Sequence, residues 1–249
     1  MPGPVAVVGA AGFLGRALVE ALRRSTTGVS AYTRSVPFLG PDGAAAPGLA
    51  SARTVFWLAT QINPQIAEQQ PLKVAEDRAA FDAFLHAVRG LPAPPTVVLL
   101  SSGGTVYDPY AETAPTRPLS AYGGAKLALE SLLAGAALPR FVTLRVSNAY
   151  GPGQPVASGQ GVIAHWLRAG RRGEDVRLFG DPETTRDYVY VDDIAAAMVA
   201  VDEGIFKKHG LEVEMTPIGI NSNIPAAILS NSIQIGGPTS TVFLRAPTE

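Results

Sequence analysis

Tyr122 and Lys126 stand four positions apart, the spacing that sets two side chains on one face of a helix, so that a phenol and an ammonium can meet at one ligand. A free phenol ionises near pH 10 and is a poor base at neutral pH. A neighbouring cation favours the phenolate, and a shift of about three units corresponds to roughly 4 kcal/mol. The pair predicts proton transfer at an oxygen. Upstream, Val97-Val98-Leu99-Leu100-Ser101-Ser102-Gly103-Gly104-Thr105-Val106-Tyr107 runs from apolar residues into hydroxyls and glycines. Such a strand end is where open α/β sheets bind ligands.

A second constellation opens the chain. Gly9-Ala10-Ala11-Gly12-Phe13-Leu14-Gly15 follows the apolar run Val5 to Val8 and leads into Phe13 to Arg24, whose apolar residues recur at helical spacing. Glycines permit a tight turn and close backbone approach, while the amides at the helix start face an anion, so a dinucleotide pyrophosphate fits there. The spacing is G-x-x-G-x-x-G. At the end of the next strand, Thr33-Arg34-Ser35 offers a cation and two hydroxyls where many such folds carry an acid. That favours the 2′-phosphate of NADP slightly over the ribose diol of NAD. Leu58 and Ala59, at the end of the third strand, are expected to wall the same cofactor.

These residues need a scaffold, and the pattern supplies one. Strands are predicted at Val5 to Val8, Val29 to Thr33, Val55 to Ala59, Thr96 to Leu100 and Phe141 to Val146. Helices are predicted at Phe13 to Arg24, Lys73 to Val88, about Ser120 to Gly135 and near Val162 to Ala169, with a strand-to-helix passage around Asp187 to Val201. Alternating strands and helices give an α/β class with a Rossmann-like, doubly wound parallel sheet. Arg34 to Thr54 barely accommodates a crossover helix plus another strand.

Composition narrows the function. With 249 residues, 20 basic and 21 acidic side chains and a net charge of −1, no long-range field favours nucleic acid or an anionic membrane. The absence of cysteine removes thiolate chemistry, and three scattered histidines do not suggest zinc. No basic residue precedes the apolar start, and no apolar run reaches the roughly 18 residues of a membrane span. A cytoplasmic protein is expected. Trp57, Trp166, Tyr188 and Tyr190 read as packing residues.

The order of the glycine turn, the hydroxyl strand end, Tyr122-Gly-Gly-Ala-Lys126, Arg145-Val-Ser-Asn148-Ala-Tyr-Gly-Pro-Gly-Gln154 and Arg186-Asp-Tyr-Val-Tyr-Val-Asp192-Asp193-Ile194 resembles the extended short-chain dehydrogenase/reductases, specifically the NAD-dependent nucleotide-sugar epimerases and dehydratases. The resemblance covers residues 4 to 201. It implies that Tyr122 is the acid/base on a sugar hydroxyl and that Lys126 lowers its pKa and holds the nicotinamide ribose. It further implies a hydroxyl on the substrate oxygen, from Ser102 or, in reserve, Thr105, with Gly103 beside the substrate. Asn148 and Arg186 would contact its sugar or diphosphate. Gly103-Gly104-Thr105 lacks the acid pair of the sugar dehydratases, which disfavours dehydration. The implied activity is epimerisation or oxidoreduction of a nucleotide sugar with bound NAD or NADP. The alternatives are an NADPH-dependent keto-sugar reductase and a cofactor-binding but inactive module. The resemblance also implies a homodimer, paired through the helices at 73–88 and 120–135.

Residues 202–249 depart from that pattern. Asp202-Glu-Gly-Ile-Phe-Lys-Lys-His-Gly-Leu-Glu-Val-Glu-Met215 and the stretch to Ala246 resemble a fragment of periplasmic-type solute-binding proteins of the sulfonate, nitrate or thiamine-precursor group. The expected organisation is a cofactor-binding domain with part of the substrate region over 1–201 and an atypical segment over 202–249. That segment is too small for a core of its own.

Overall fold

β1 (Val5–Val8) and β3 (Thr54–Trp57) are buried at every position, as expected of strands covered on both faces of a parallel sheet. The computed structural model describes residues 3–25, 28–103, 106, 116–156, 161–176 and 186–203. Five strands pair in parallel in the order β2-β1-β3-β4-β5, with β2 at Val29–Tyr32, β4 at Thr96–Ser102 and β5 at Phe141–Val146. Because the chain leaves β1 toward β2 and leaves β3 toward β4 on the opposite side, the strand ends part between β1 and β3. A ligand crevice forms at such a point.

Alternation along the strands divides the core in two. Ala6, Val8, Val55, Trp57, Val97 and Leu99 face α4 (Pro71–Arg89) and α5 (Ala121–Gly135), meeting Phe81, Phe84, Leu85, Val88, Leu129 and Leu133. Val5, Val7, Phe56 and Val98 face α1 (Phe13–Ser25) and α7 (Val191–Glu203), meeting Leu18, Leu22, Ile194 and Met198. Full burial of each large apolar side chain contributes about 1.5–3 kcal/mol. Trp57 packs with Phe38, Phe81 and Phe84, which is the packing role expected of it. Trp166 is instead 41% exposed on α6 (Val162–Arg172), and Tyr188 is 40% exposed.

The helices that carry the chemistry start where the sequence caps them. The Ser120 hydroxyl accepts from the Gly123 amide at 3.1 Å, which fixes the first turn of α5 just before Tyr122. Asn63 caps α3 (Pro64–Gln69) by accepting from Ile66 N at 2.7 Å, with Pro64 at the first helical position. β6 (Asn148–Tyr150) and β7 (Tyr188–Tyr190) form a separate parallel pair.

Several details differ from the sequence reading. The 34–54 interval holds a Leu39–Ala45 bridge and the short helix α2 (Pro47–Ala50), with no added sheet strand. α3 and β6 are too short to show a period, so periodicity alone missed them. β4 continues two residues further than expected, to Ser102, because β5 stays in register with it through Ser102↔Val146. α7 is described as far as Glu203, and Asp202 on it is anchored by Arg53, whose Nη2 meets Asp202 Oδ2 at 2.5 Å while its Nε donates to Gly3 O at 2.9 Å. The segment expected to begin at 202 lies outside the described residues except for Asp202 and Glu203.

Candidate active site

A cleft of about 1240 Å³ opens at the C-terminal ends of β1, β3 and β4. That exceeds the roughly 300–1000 Å³ of a typical small-molecule pocket and leaves room for two ligands. At its floor, Gly9 has φ +93°, and a Cβ on it would stand 2.5 Å from Ala59 N and 2.7 Å from Leu58 C. A Cβ on Gly15 would stand 2.2 Å from Gly9 O. Only glycine lets the turn pass this close to the end of β3. Gly12 N donates to Gly9 O at 3.0 Å, closing the turn. The first amides of α1 have no partner within the helix, and its positive end adds to their pull on an anion. A turn packed this closely, with amides turned toward an anion, fits a dinucleotide pyrophosphate.

Gly9, Gly12, Phe13, Leu14, Gly15, Thr33, Arg34, Ser35, Leu58 and Ala59 all line the cleft, as the sequence predicts. Thr33 Oγ1 and Ser35 Oγ share a hydrogen bond of 3.0 Å beside the exposed Arg34. Arg16 Nη1 donates to Ala11 O and its Nη2 to Gly153 O, each at 2.8 Å, so one guanidinium ties the glycine turn to the loop after β6.

Tyr122 and Lys126 line the same cleft from the first turns of α5. Lys126 Nζ lies 5.5 Å from the centre of the Tyr122 ring, within cation–π range. The lysine is only 7% exposed, and burial holds its pKa below the usual lysine value, while the charge of Asp77 acts to raise it. The Tyr122 phenol is not lowered as the pair alone predicts. Burial first, and then the Asp77 charge, push it up to about 12. The correction has a plain cause: desolvation disfavours the phenolate, and the nearest carboxylate opposes it as well.

Ser102 also lines the cleft. Its neighbour Ser101 lines the cleft as well, but its hydroxyl donates to Glu130, whose carboxylate also takes Arg145 Nη2 at 2.6 Å. That clamp fixes the end of β4 against α5 and β5, and the Ser102 hydroxyl stands outside it. Gly103 is not among the lining residues. Its amide donates to Val146 O at 2.9 Å, and a Cβ on it would stand 3.1 Å from Arg145 O, so it serves the β4–β5 edge. Thr105 lies outside the described residues. Asn148 and Arg186 line the far side, and Asn148 Nδ2 donates to Asp187 O at 2.9 Å, joining β6 to β7.

Sequence reasoning missed Asp77, Thr60 and Gln61, which line the cleft between the cofactor turn and α5. Asp77 was detectable: it falls in register with Phe81, Phe84 and Val88 on the buried face of α4. A carboxylate on an apolar helical stripe is unusual enough to mark.

Fold and site together define a dinucleotide-binding α/β enzyme with a helical tyrosine–lysine pair. The NAD dependent epimerase/dehydratase family matches residues 5–210, and the chain belongs to that family, whose cofactor is NAD. The chain is 31% identical over 230 residues to UDP-glucose 4-epimerase of Mycolicibacterium smegmatis, covering 78% of this chain and 71% of that protein. It is 34% identical over 110 residues to dTDP-4-dehydro-6-deoxyglucose reductase of Escherichia coli, covering 41% of this chain and 35% of that protein. Among solved structures, UDP-glucose 4-epimerase of Thermotoga maritima, with UDP-glucose, superposes with a TM-score of 0.68 at 29% identity, covering 80% of this chain and 72% of that one. The Thermus thermophilus UDP-glucose 4-epimerase complex with NAD gives 0.65 at 26% identity, covering 86% of each chain. Among the described residues, no helix is long and apolar enough to cross a membrane.

Proposed function

We propose that the chain interconverts or oxidises and reduces a nucleotide sugar at a hydroxyl-bearing carbon, with Tyr122 as acid/base, Lys126 as its cationic partner and Ser102 as a hydrogen-bond donor to the substrate oxygen. The observation that carries this reading is the placement of Tyr122, Lys126 and Ser102 on one cleft with the glycine turn. The first turn of α1 would hold the pyrophosphate, Leu58 and Ala59 would wall the cofactor, and Arg186 and Asn148 would take the diphosphate or sugar of the substrate. When bound, the nicotinamide supplies the acceptor and donor for the hydride of the carbinol carbon. Tyr122 moves the hydroxyl proton, while Lys126 and Ser102 stabilise charge that develops on that oxygen.

A second reading, reduction of a keto sugar with NADPH, is favoured by one observation. Thr33 and Ser35 share a hydrogen bond beside the exposed Arg34 on the cleft, a set that suits a 2′-phosphate. Incubating the full chain with NAD and UDP-glucose deuterated at C4 separates the two. Epimerisation returns the label to C4 of UDP-galactose with no net NADH, whereas a reductase forms no galactose epimer and consumes NADPH only with an added keto sugar. Neither product from a folded chain would refute the proposal. Pairing of two copies through α4 and α5 belongs to the same proposal, and sedimentation at twice 25.9 kDa is its test.

A further inference from the structure

The cleft is built for anions, with Arg34, Lys126 and Arg186 on its walls, yet Asp77 is its one carboxylate among the described lining residues. Asp77 is 8% exposed. Its Oδ1 accepts from Gln61 N at 2.7 Å and its Oδ2 from the Thr60 hydroxyl, so it holds the turn that follows β3 and walls the cofactor side. It sits on α4, which packs against α5 and so against the helix that carries Tyr122 and Lys126. A buried anion in a site for phosphates weakens ligand binding unless its charge serves the site itself.

We propose that Asp77 is a positioning residue for the reaction proposed above, a buried counter-charge that keeps the Lys126 ammonium charged while its oxygens fix the Thr60–Gln61 turn. Lys126 needs such a partner because it is buried with no ion-pair partner within 4 Å among the described residues. Arg78 and Asp82 on α4 are exposed, and the nearby carboxylates on the packed helices have other partners. Glu130 on α5 is held by Arg145 and Ser101, Glu68 on α3 accepts from Ala121 N, and Glu76 on α4 pairs with Lys73 at the surface. Arg186 and Arg34 lie on the same cleft and oppose the lysine charge, which leaves Asp77 as the compensating anion. The direction of the lysine and tyrosine shifts agrees, since Asp77 acts on both.

Asp77→Asn removes the charge but keeps the size and the oxygen that accepts from Gln61 N, and its amide nitrogen can donate to the Thr60 hydroxyl once that hydroxyl turns to accept. The chain has four lysines, at 73, 126, 207 and 208, so ε-carbon NMR of labelled lysine is tractable, with Lys126→Met assigning the signal. In Asp77→Asn the Lys126 midpoint should fall by at least one pH unit relative to wild type, a tenfold change in proton affinity. An unchanged midpoint in a folded Asp77→Asn chain would overturn the proposal. If Asp77→Asn does not fold, Asp77→Ser is the second variant, with the same expected fall and the same overturning result. This readout needs no sugar, so a shifted lysine without turnover would refute the functional reading while leaving the Asp77 role standing. Turnover with an unshifted lysine would do the reverse.

Discussion

Lys126 places its ammonium 5.5 Å from the centre of the Tyr122 ring, with both side chains on the cleft that the glycine turn closes from below. One helical turn of α5 sets that relationship, and the Ser120 cap fixes where the turn begins. The pair is therefore a product of local sequence, whereas the proton affinity of its phenol is set by what packs around it.

Tyr122→Phe removes the proton relay while keeping the ring. Sugar turnover should fall by about 10²–10⁴-fold, with dinucleotide affinity within threefold of wild type. A turnover assay paired with a binding titration checks this, and loss of binding in step with activity would count against the assigned role.

The raised phenol also predicts an alkaline signature. Because the folded-state pKa of Tyr122 lies near 12 against 10 in the unfolded chain, the native state retains a proton that the unfolded state releases between those values. Stability from this group is present below pH 10 and is lost as pH rises toward 12, by up to about 2–3 kcal/mol. Denaturant melts from pH 9 to 11.5 should show a shallower decline for Tyr122→Phe than for wild type.

Gly9→Ala should destabilise the fold by about 2–4 kcal/mol and abolish dinucleotide binding, because its methyl would meet the end of β3 at 2.5 Å in a backbone conformation that disfavours a side chain. Gly124→Ala, which meets nothing within 4 Å inside α5, should instead stabilise by roughly 0.5–1 kcal/mol. Thermal melts of the two variants test opposite signs on two glycines of the same motif set.

How much of this was legible from sequence follows from length and distance. β1, the turn, α1 and α5 announce themselves through runs and spacing, and the chemistry-bearing residues on them fall where expected. β6 and α3 are too short for a period to emerge. The raised proton affinity of Tyr122 comes first from burial and then from Asp77, 45 positions upstream, and neither the depth of a side chain nor a carboxylate on another helix shows in a local pattern. Gly103 was assigned to the ligand side, yet its amide belongs to the β4–β5 ladder, a pairing that depends on register across 43 residues.

Arg34→Ala should weaken NADPH by about tenfold or more and leave NADH within twofold, since a charge-assisted phosphate contact contributes roughly 1.5–3 kcal/mol. Equal losses for both dinucleotides would remove the argument for a 2′-phosphate site.

Glu130→Ala breaks the clamp on Ser101 and Arg145. Arg145 is 29% exposed at its side chain and can recover water, so the cost should be about 1–2 kcal/mol rather than that of a fully buried pair. Chemical denaturation measures it, and a cost near zero would show that the clamp does not hold β4.

The account rests on a nicotinamide dinucleotide lying in the β1/β3 cleft beside Tyr122. Titrating the full-length chain with NADH and then NADPH, while following energy transfer from the buried Trp57, measures that directly. Saturable binding that Gly9→Ala abolishes and Tyr122→Phe retains is the predicted result. A folded chain that binds neither dinucleotide would contradict the account.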